Sequence, residues 1–232
     1  YVDDAREVAV VCVGFATLGL ATVLTLKSAT AIPRPAMTPV DPGGLPILLD
    51  SFVAGEIESD GFTFPSGHAT AATVVYGGLG LLLSVGRKRI RYPLAASLIV
   101  LISFSRVVLD VHYLRDIVAG MILGSLLIAV GLAVGREDGR FYPDRVFALG
   151  GVASIVGLGV AFQGGHGEEV LQAAIGIGTA IGGVMTWRRF DDRLLAAPPV
   201  SVPLAVVGLA VAGGLWIAAY AGLLPAVGAV VA

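Results

Sequence analysis

Apolar residues fall in seven long runs separated by short polar links: Val8–Leu26, Ala69–Val85, Tyr92–Phe104, Ile117–Val134, Val146–Phe162, Val170–Trp187 and Val202 to about Leu223. Windows of this length with so few charges mark membrane-spanning helices rather than core helices of a water-soluble domain. The pattern predicts an all-α fold, a polytopic transmembrane helical bundle of about seven spans. Residues 1–26 lack a small-residue cleavage pattern, so the first run reads as a span rather than a signal peptide. Between the first two runs lies a segment bearing Pro33, Pro35, Pro39 and Pro42, which argues against a continuous helix. The apolar piece Gly44–Glu56 that follows is too short to span and reads as an interfacial or re-entrant element, with Glu56, Glu58 and Asp60 clustered after it.

Composition agrees with this pattern. Of 232 residues 56% are hydrophobic and only 14% charged, and the mean hydropathy is +0.88, where a soluble domain carries about 25% charged residues. The net charge of -2 and the absence of a basic run give nucleic acid no footing. A single cysteine, Cys12, excludes a disulfide framework and a Cys-based metal site, and three histidines argue against a dedicated metal site or cofactor. Glycine is abundant at 32 residues, and Gly120 with Gly124 forms a small-xxx-small face suited to close helix contact.

The links alternate in charge. If the N-terminus faces one side, that side receives Arg6, Arg87, Lys88, Arg89, Arg91, Arg136, Arg140, Arg145, Arg188, Arg189 and Arg193, 11 of the 15 basic residues. Basic residues accumulate in cytoplasmic loops, so this side is expected to be cytoplasmic. The other side holds only Lys27, Arg34, Arg106 and Arg115, each in or beside a polar stretch.

Three such stretches share the outward side: Lys27–Pro35, Phe64–His68 and Ser105–Asp116. Ionisable groups at membrane depth are costly and are functional candidates by default. Lys27 and Arg34 offer fixed positive charge, and Arg106 adds a planar fork suited to phosphate oxygens. Ser66 and Gly67 stand where the second run begins, so a helix N-terminus there would offer N–H groups to an anion. His112 and Asp116 are four apart; on a helix they share a face, and the carboxylate would take the Nδ1 proton and leave Nε2 free to attack. The inventory suits a phosphate, with one histidine to attack and one to protonate the leaving group. Each stretch taken singly has a bland reading, a turn, a cap or a snorkelling cation; their conjunction on one side outweighs it.

The set Lys27-x6-Arg34-Pro35, Pro65-Ser66-Gly67-His68 and Ser105-Arg106-x5-His112-x3-Asp116 resembles the three signature motifs of the type 2 phosphatidic acid phosphatase superfamily, over residues 27 to about 120. That superfamily includes lipid phosphate phosphatases, polyprenyl diphosphate phosphatases and soluble vanadium haloperoxidases. The resemblance implies His112 as nucleophile forming a phosphohistidine, Asp116 as its orienter, and His68 as general acid. It implies Lys27, Arg34, Ser66, Gly67 and Arg106 as phosphate ligands, with no metal. The chain departs from the usual membrane pattern, with one span before the lysine motif instead of two and three spans after the fourth. Residues 1–232 are expected to form one membrane domain, with a catalytic part over 1–135 and accessory helices over 146–223.

The expected function is hydrolysis of a lipid phosphate or diphosphate on the extracytoplasmic face of the cell membrane, a polyprenyl diphosphate being favoured. Phosphatidylglycerophosphate or phosphatidic acid is the alternative, as is transfer of the phosphoryl group to another acceptor by the same residues. An anion transporter would leave the His112–Asp116 pair unexplained, and the spans disfavour a haloperoxidase. His166, in the polar link Gln163–Glu169, reads as a loop residue.

Overall fold

The computed structural model describes residues 5–35, 61–84, 86–138, 140–198 and 200–220; the expectations for Pro39, Pro42, Gly44–Glu56, Glu58 and Asp60 lie outside these residues. Each of the seven apolar runs is helical over most of its described residues. The first forms α1 (Ala5–Thr30). The second is a continuous helical stretch in three parts, α2 (Gly67–Ala72), a π-helical turn (Thr73–Gly77) and α3 (Gly78–Leu82). Then come α4 (Lys88–Val108), α5 (Leu114–Gly135), α6 (Pro143–Gly164), α7 (Gly167–Ala196) and α8 (Val202–Tyr220). Five of these, α1, α4, α5, α6 and α7, are long and apolar enough to cross a membrane. The protein is a polytopic helical bundle.

The polar link Arg136–Arg145 holds an element that the sequence pattern does not predict. Strands β1 (Arg136–Glu137) and β2 (Arg140–Phe141) pair antiparallel, with Arg136 opposite Phe141. Arg145 and Glu137 form an ion pair beside them. Pro143 opens α6, where its missing N–H costs nothing and its fixed φ favours the helix.

α1 lies at the centre. Val8, Val11, Phe15 and Leu18 are buried along it and pack with Val74, Leu127, Ile128 and Val146 from the π-helical turn, α5 and α6. A helix apolar all round has its place inside a bundle. By contrast Ile90, Leu94, Leu101 and Phe104 of α4 and Leu204, Val207 and Leu209 of α8 are exposed, as lipid-facing side chains are. The small-xxx-small face of α5 meets the second helical stretch: a Cβ at Gly120 would stand 2.6 Å from the Ser66 carbonyl oxygen, and one at Gly124 2.6 Å from Thr73 Cβ. Only glycine allows backbones this near, and the contact joins the second polar stretch to the third.

Candidate active site

Each polar stretch occupies a helix end. Lys27 lies in the last turn of α1. The helix stops where Ala31 takes a left-handed φ of 46°, its N–H still bonded to the Lys27 carbonyl at 2.8 Å. Arg34 follows three residues on, half-buried, before buried Pro35.

The second stretch turns into α2. Ser66 is the N-cap, and its Oγ accepts from Ala69 N–H at 3.4 Å. The preceding Phe64–Pro65 peptide is cis. Thr70 Oγ1 donates to the carbonyls of Ser66 at 3.0 Å and Gly120 at 3.2 Å, locking α2 to α5. Gly67 and His68 are the first two residues of the helix, at the end where its dipole is positive. His68 is exposed, while Ser66 is wholly buried.

The third stretch is a turn with fixed dimensions. α4 ends in a Schellman arrangement: Asp110 adopts φ 55°, its N–H bonds the Val107 carbonyl at 2.9 Å, and Val111 N–H returns to the Arg106 carbonyl at 3.1 Å. His112 N–H reaches the same Arg106 carbonyl at 3.3 Å. The five residues between Arg106 and His112 are therefore the length of this turn, and they carry His112 back over the helix end. Asparagine and aspartate are the non-glycine residues that best tolerate the left-handed conformation, which accounts for Asp110. Arg106 is buried, and its Nε donates to Ser105 Oγ at 3.3 Å.

His112 and Asp116 do not share a helical face as their spacing predicts. α5 begins at Leu114, after His112. Asp116 sits in its first turn, and Oδ2 accepts the Tyr113 N–H at 2.8 Å, half of a capping box. The cap and the site use one carboxylate. Its separation from His112 Nδ1 is 3.7 Å, too long for the direct hydrogen bond expected. The hydroxyl of Thr63 fills the interval, donating to Asp116 Oδ2 at 2.5 Å and lying 2.9 Å from His112 Nδ1. The Arg115 guanidinium approaches the other carboxylate oxygen, Oδ1, at 3.6 Å. Asp116 and Thr63 are fully buried and His112 nearly so.

Two backbone bonds tie the stretches together. Ser66 N–H donates to the Asp116 carbonyl at 3.0 Å, and Thr63 N–H donates to the Ile32 carbonyl at 2.9 Å. Thr63 thus touches all three: it pairs with the Lys27–Pro35 segment, precedes Pro65-Ser66, and contacts His112 and Asp116. Nothing in the spacing of charged residues marks it; only folding brings position 63 to position 112.

The electrostatics gather the remaining candidates. The His112 imidazole is pushed down from 6.5 to about 4, first by burial and then by the cations Lys27 and Arg34, with His68 adding to the effect and Asp116 opposing it. Lys27, Arg34 and His68 are therefore within electrostatic reach of His112. The site is a buried imidazole held neutral under a cationic cover, at the shared end of α1, α2, α4 and α5. His166 enters from the α6–α7 turn, its ring edge-on to Phe62 with centroids 4.6 Å apart. It packs on the segment that positions Thr63.

A buried histidine beside two cations, at the shared end of four helices, is the geometry to set against known families. A family model described as the PAP2 superfamily matches residues 7–140, more than half of the chain. The chain belongs to the PAP2 superfamily. It is 35% identical over 91 residues to phosphatidylglycerophosphatase B of Bacillus subtilis (strain 168), an alignment that covers 37% of this chain and 45% of that relative. The chain thus aligns with less than half of the length of the curated relative it matches. No solved structure gives a significant match.

Proposed function

We propose that the protein is a membrane phosphatase that hydrolyses a lipid phosphate through a phosphohistidine on His112. The observation that carries this reading is a buried imidazole whose Nδ1 is engaged by Thr63 and which burial, and then Lys27 and Arg34, hold in the neutral form. In the first step His112 Nε2 attacks phosphorus, the bond to the leaving oxygen breaks, and His68 protonates that oxygen. The imidazolium formed carries its charge toward Asp116, so the carboxylate acts where charge develops. In the second step water attacks, the P–N bond breaks, His68 takes the water proton, and His112 returns neutral. Lys27, Arg34, Arg106, the Ser66 hydroxyl and the Gly67 N–H hold the phosphoryl oxygens. An exposed His68 suits a proton donor at the point where the leaving group departs. Residues 1–135 supply these groups, and α6 packs against α1, the helix that carries Lys27.

Similarity to a phosphatidylglycerophosphatase favours phosphatidylglycerophosphate as the substrate over a polyprenyl diphosphate. The 11 basic residues on the opposite side favour an extracytoplasmic site. The test is release of inorganic phosphate from both lipids in detergent with EDTA present. Release by the wild type and none by a folded His112→Ala variant is the expected result. Full activity in His112→Ala, or loss of wild-type activity in the chelator, overturns the mechanism. Release only when an acceptor alcohol is added identifies a phosphotransferase instead.

A further inference from the structure

We propose that Thr63 is a positioning residue that sets the tautomer of His112 and relays Asp116 to it. This rests on His112 being the nucleophile of the phosphatase reading. A hydroxyl has one proton and two acceptor lone pairs. The Thr63 proton is committed to the carboxylate of Asp116, 2.5 Å from Oδ2. Toward His112 Nδ1, 2.9 Å away, the oxygen can then only accept. Nδ1 therefore carries the hydrogen, and Nε2 is left with the lone pair that attack requires. A direct bond from Asp116 would impose the same tautomer, but the carboxylate stands 3.7 Å from Nδ1.

The surroundings hold this chain rigidly. Thr63 has no exposed surface, and its backbone is fixed by the Ile32 carbonyl at 2.9 Å. Asp116 Oδ2 is held from the other side by Tyr113 N–H at 2.8 Å. When the phosphohistidine forms, the imidazolium Nδ1–H donates through Thr63 to a carboxylate already oriented. Both hydrogen bonds strengthen together as the positive charge appears. Thr63 touches neither substrate nor the reacting nitrogen. Its effect belongs in kcat rather than in substrate binding.

Four variants (Thr63→Val, Thr63→Ser, Asp116→Asn and the double Thr63→Val/Asp116→Asn) and one spectrum test this. Thr63→Val removes the hydroxyl and keeps the shape; it should lower kcat about 10²-fold, the scale of losing an orienting partner behind a catalytic histidine, with KM little changed. Thr63→Ser keeps the hydroxyl and should retain kcat within a few-fold. Because Asp116 acts through Thr63, the Thr63→Val/Asp116→Asn double variant should be no slower than the slower single variant. The 15N side-chain spectrum of the wild type holds only three histidines and reads the tautomer without any turnover. His112 should show a protonated Nδ1 and a bare Nε2, and Thr63→Val should shift it toward Nε2–H. Wild-type kcat in Thr63→Val, multiplicative losses in the double variant, or an Nε2–H tautomer in the wild type overturns the proposal. If Thr63→Val does not fold, the wild-type spectrum and Thr63→Ser still decide. A wild type with the Nδ1–H tautomer and no phosphate release sinks the phosphatase reading and leaves the Thr63 contact standing.

Discussion

Gly120 offers a test of how the site is held, because one added carbon there is directed at a backbone atom of the neighbouring stretch. In Gly120→Ala the new Cβ would stand 2.6 Å from the Ser66 carbonyl oxygen, 3.0 Å from Ala69 Cβ and 3.2 Å from Thr70 Oγ1. Carbon–oxygen contacts settle at about 3.3–3.6 Å, so α2 must withdraw from α5 by roughly 0.7 Å or more. The carbonyl has no freedom to turn aside, since it already accepts Thr70 N–H at 3.1 Å and Thr70 Oγ1 at 3.0 Å. Withdrawal stretches the 3.0 Å bond from Ser66 N–H to the Asp116 carbonyl, which joins the second polar stretch to the third. Overpacking of this kind costs about 1–3 kcal/mol, and a displacement near 1 Å at a reacting centre costs about 10²-fold in rate. Phosphate release in detergent and the thermal midpoint should both fall. Gly178→Ala is the matched control, as its Cβ meets nothing within 4 Å. Equal activity and equal midpoints in the two variants would refute the view that α2–α5 contact registers the motifs.

Other expectations follow from the site and the topology. With the His112 value at about 4 instead of 6.5, about 97% of the imidazole is neutral at pH 5.5 where about 9% would be otherwise. Phosphate release should therefore persist to about pH 5, and an acidic limb above pH 6 would contradict the assignment. Because the folded value is depressed, the unfolded chain takes this proton first; stability from this group is lost as pH falls from 6.5 toward 4, visible as a thermal midpoint that drops less in His112→Ala. Arg34→Gln should cost about 10²–10³ in rate, as loss of one preorganised donor to a developing oxyanion does; a loss below tenfold argues against a phosphate contact. In a Cys12→Ala background, Gln163→Cys should react with an impermeant maleimide added outside intact cells and Asp138→Cys should not. The reverse pattern inverts the orientation.

Helices were legible where hydrophobicity is one-dimensional information. All seven apolar runs are helical over most of their described residues, and Ser66 caps the second as its position before the run implied. What escaped was anything decided by contact between distant positions. The i,i+4 spacing of His112 and Asp116 carries a helical reading, yet the chain between Val108 and Leu114 is spent on closing the end of α4. Thr63 escaped for a related reason: an uncharged hydroxyl residue beside phenylalanines carries no cost at membrane depth that would single it out. The π-helical turn at Thr73–Gly77 and the Arg136–Phe141 hairpin depend on packing rather than periodicity.

The burial of α1 also has a consequence in time. The helix that bears Lys27 rests against α6, where Thr25 Oγ1 reaches the Ala153 carbonyl at 3.3 Å across 128 residues of sequence. At about 5–20 residues per second a ribosome needs roughly 6–26 s to make that interval. For that long after emerging, the first helix lacks one of the neighbours against which it finally rests, and the third motif is complete at Asp116, before Ala153 is made. A helix made after the motifs therefore governs when the first one settles, and the onset of activity during biosynthesis should track the arrival of α6 rather than the completion of the motifs.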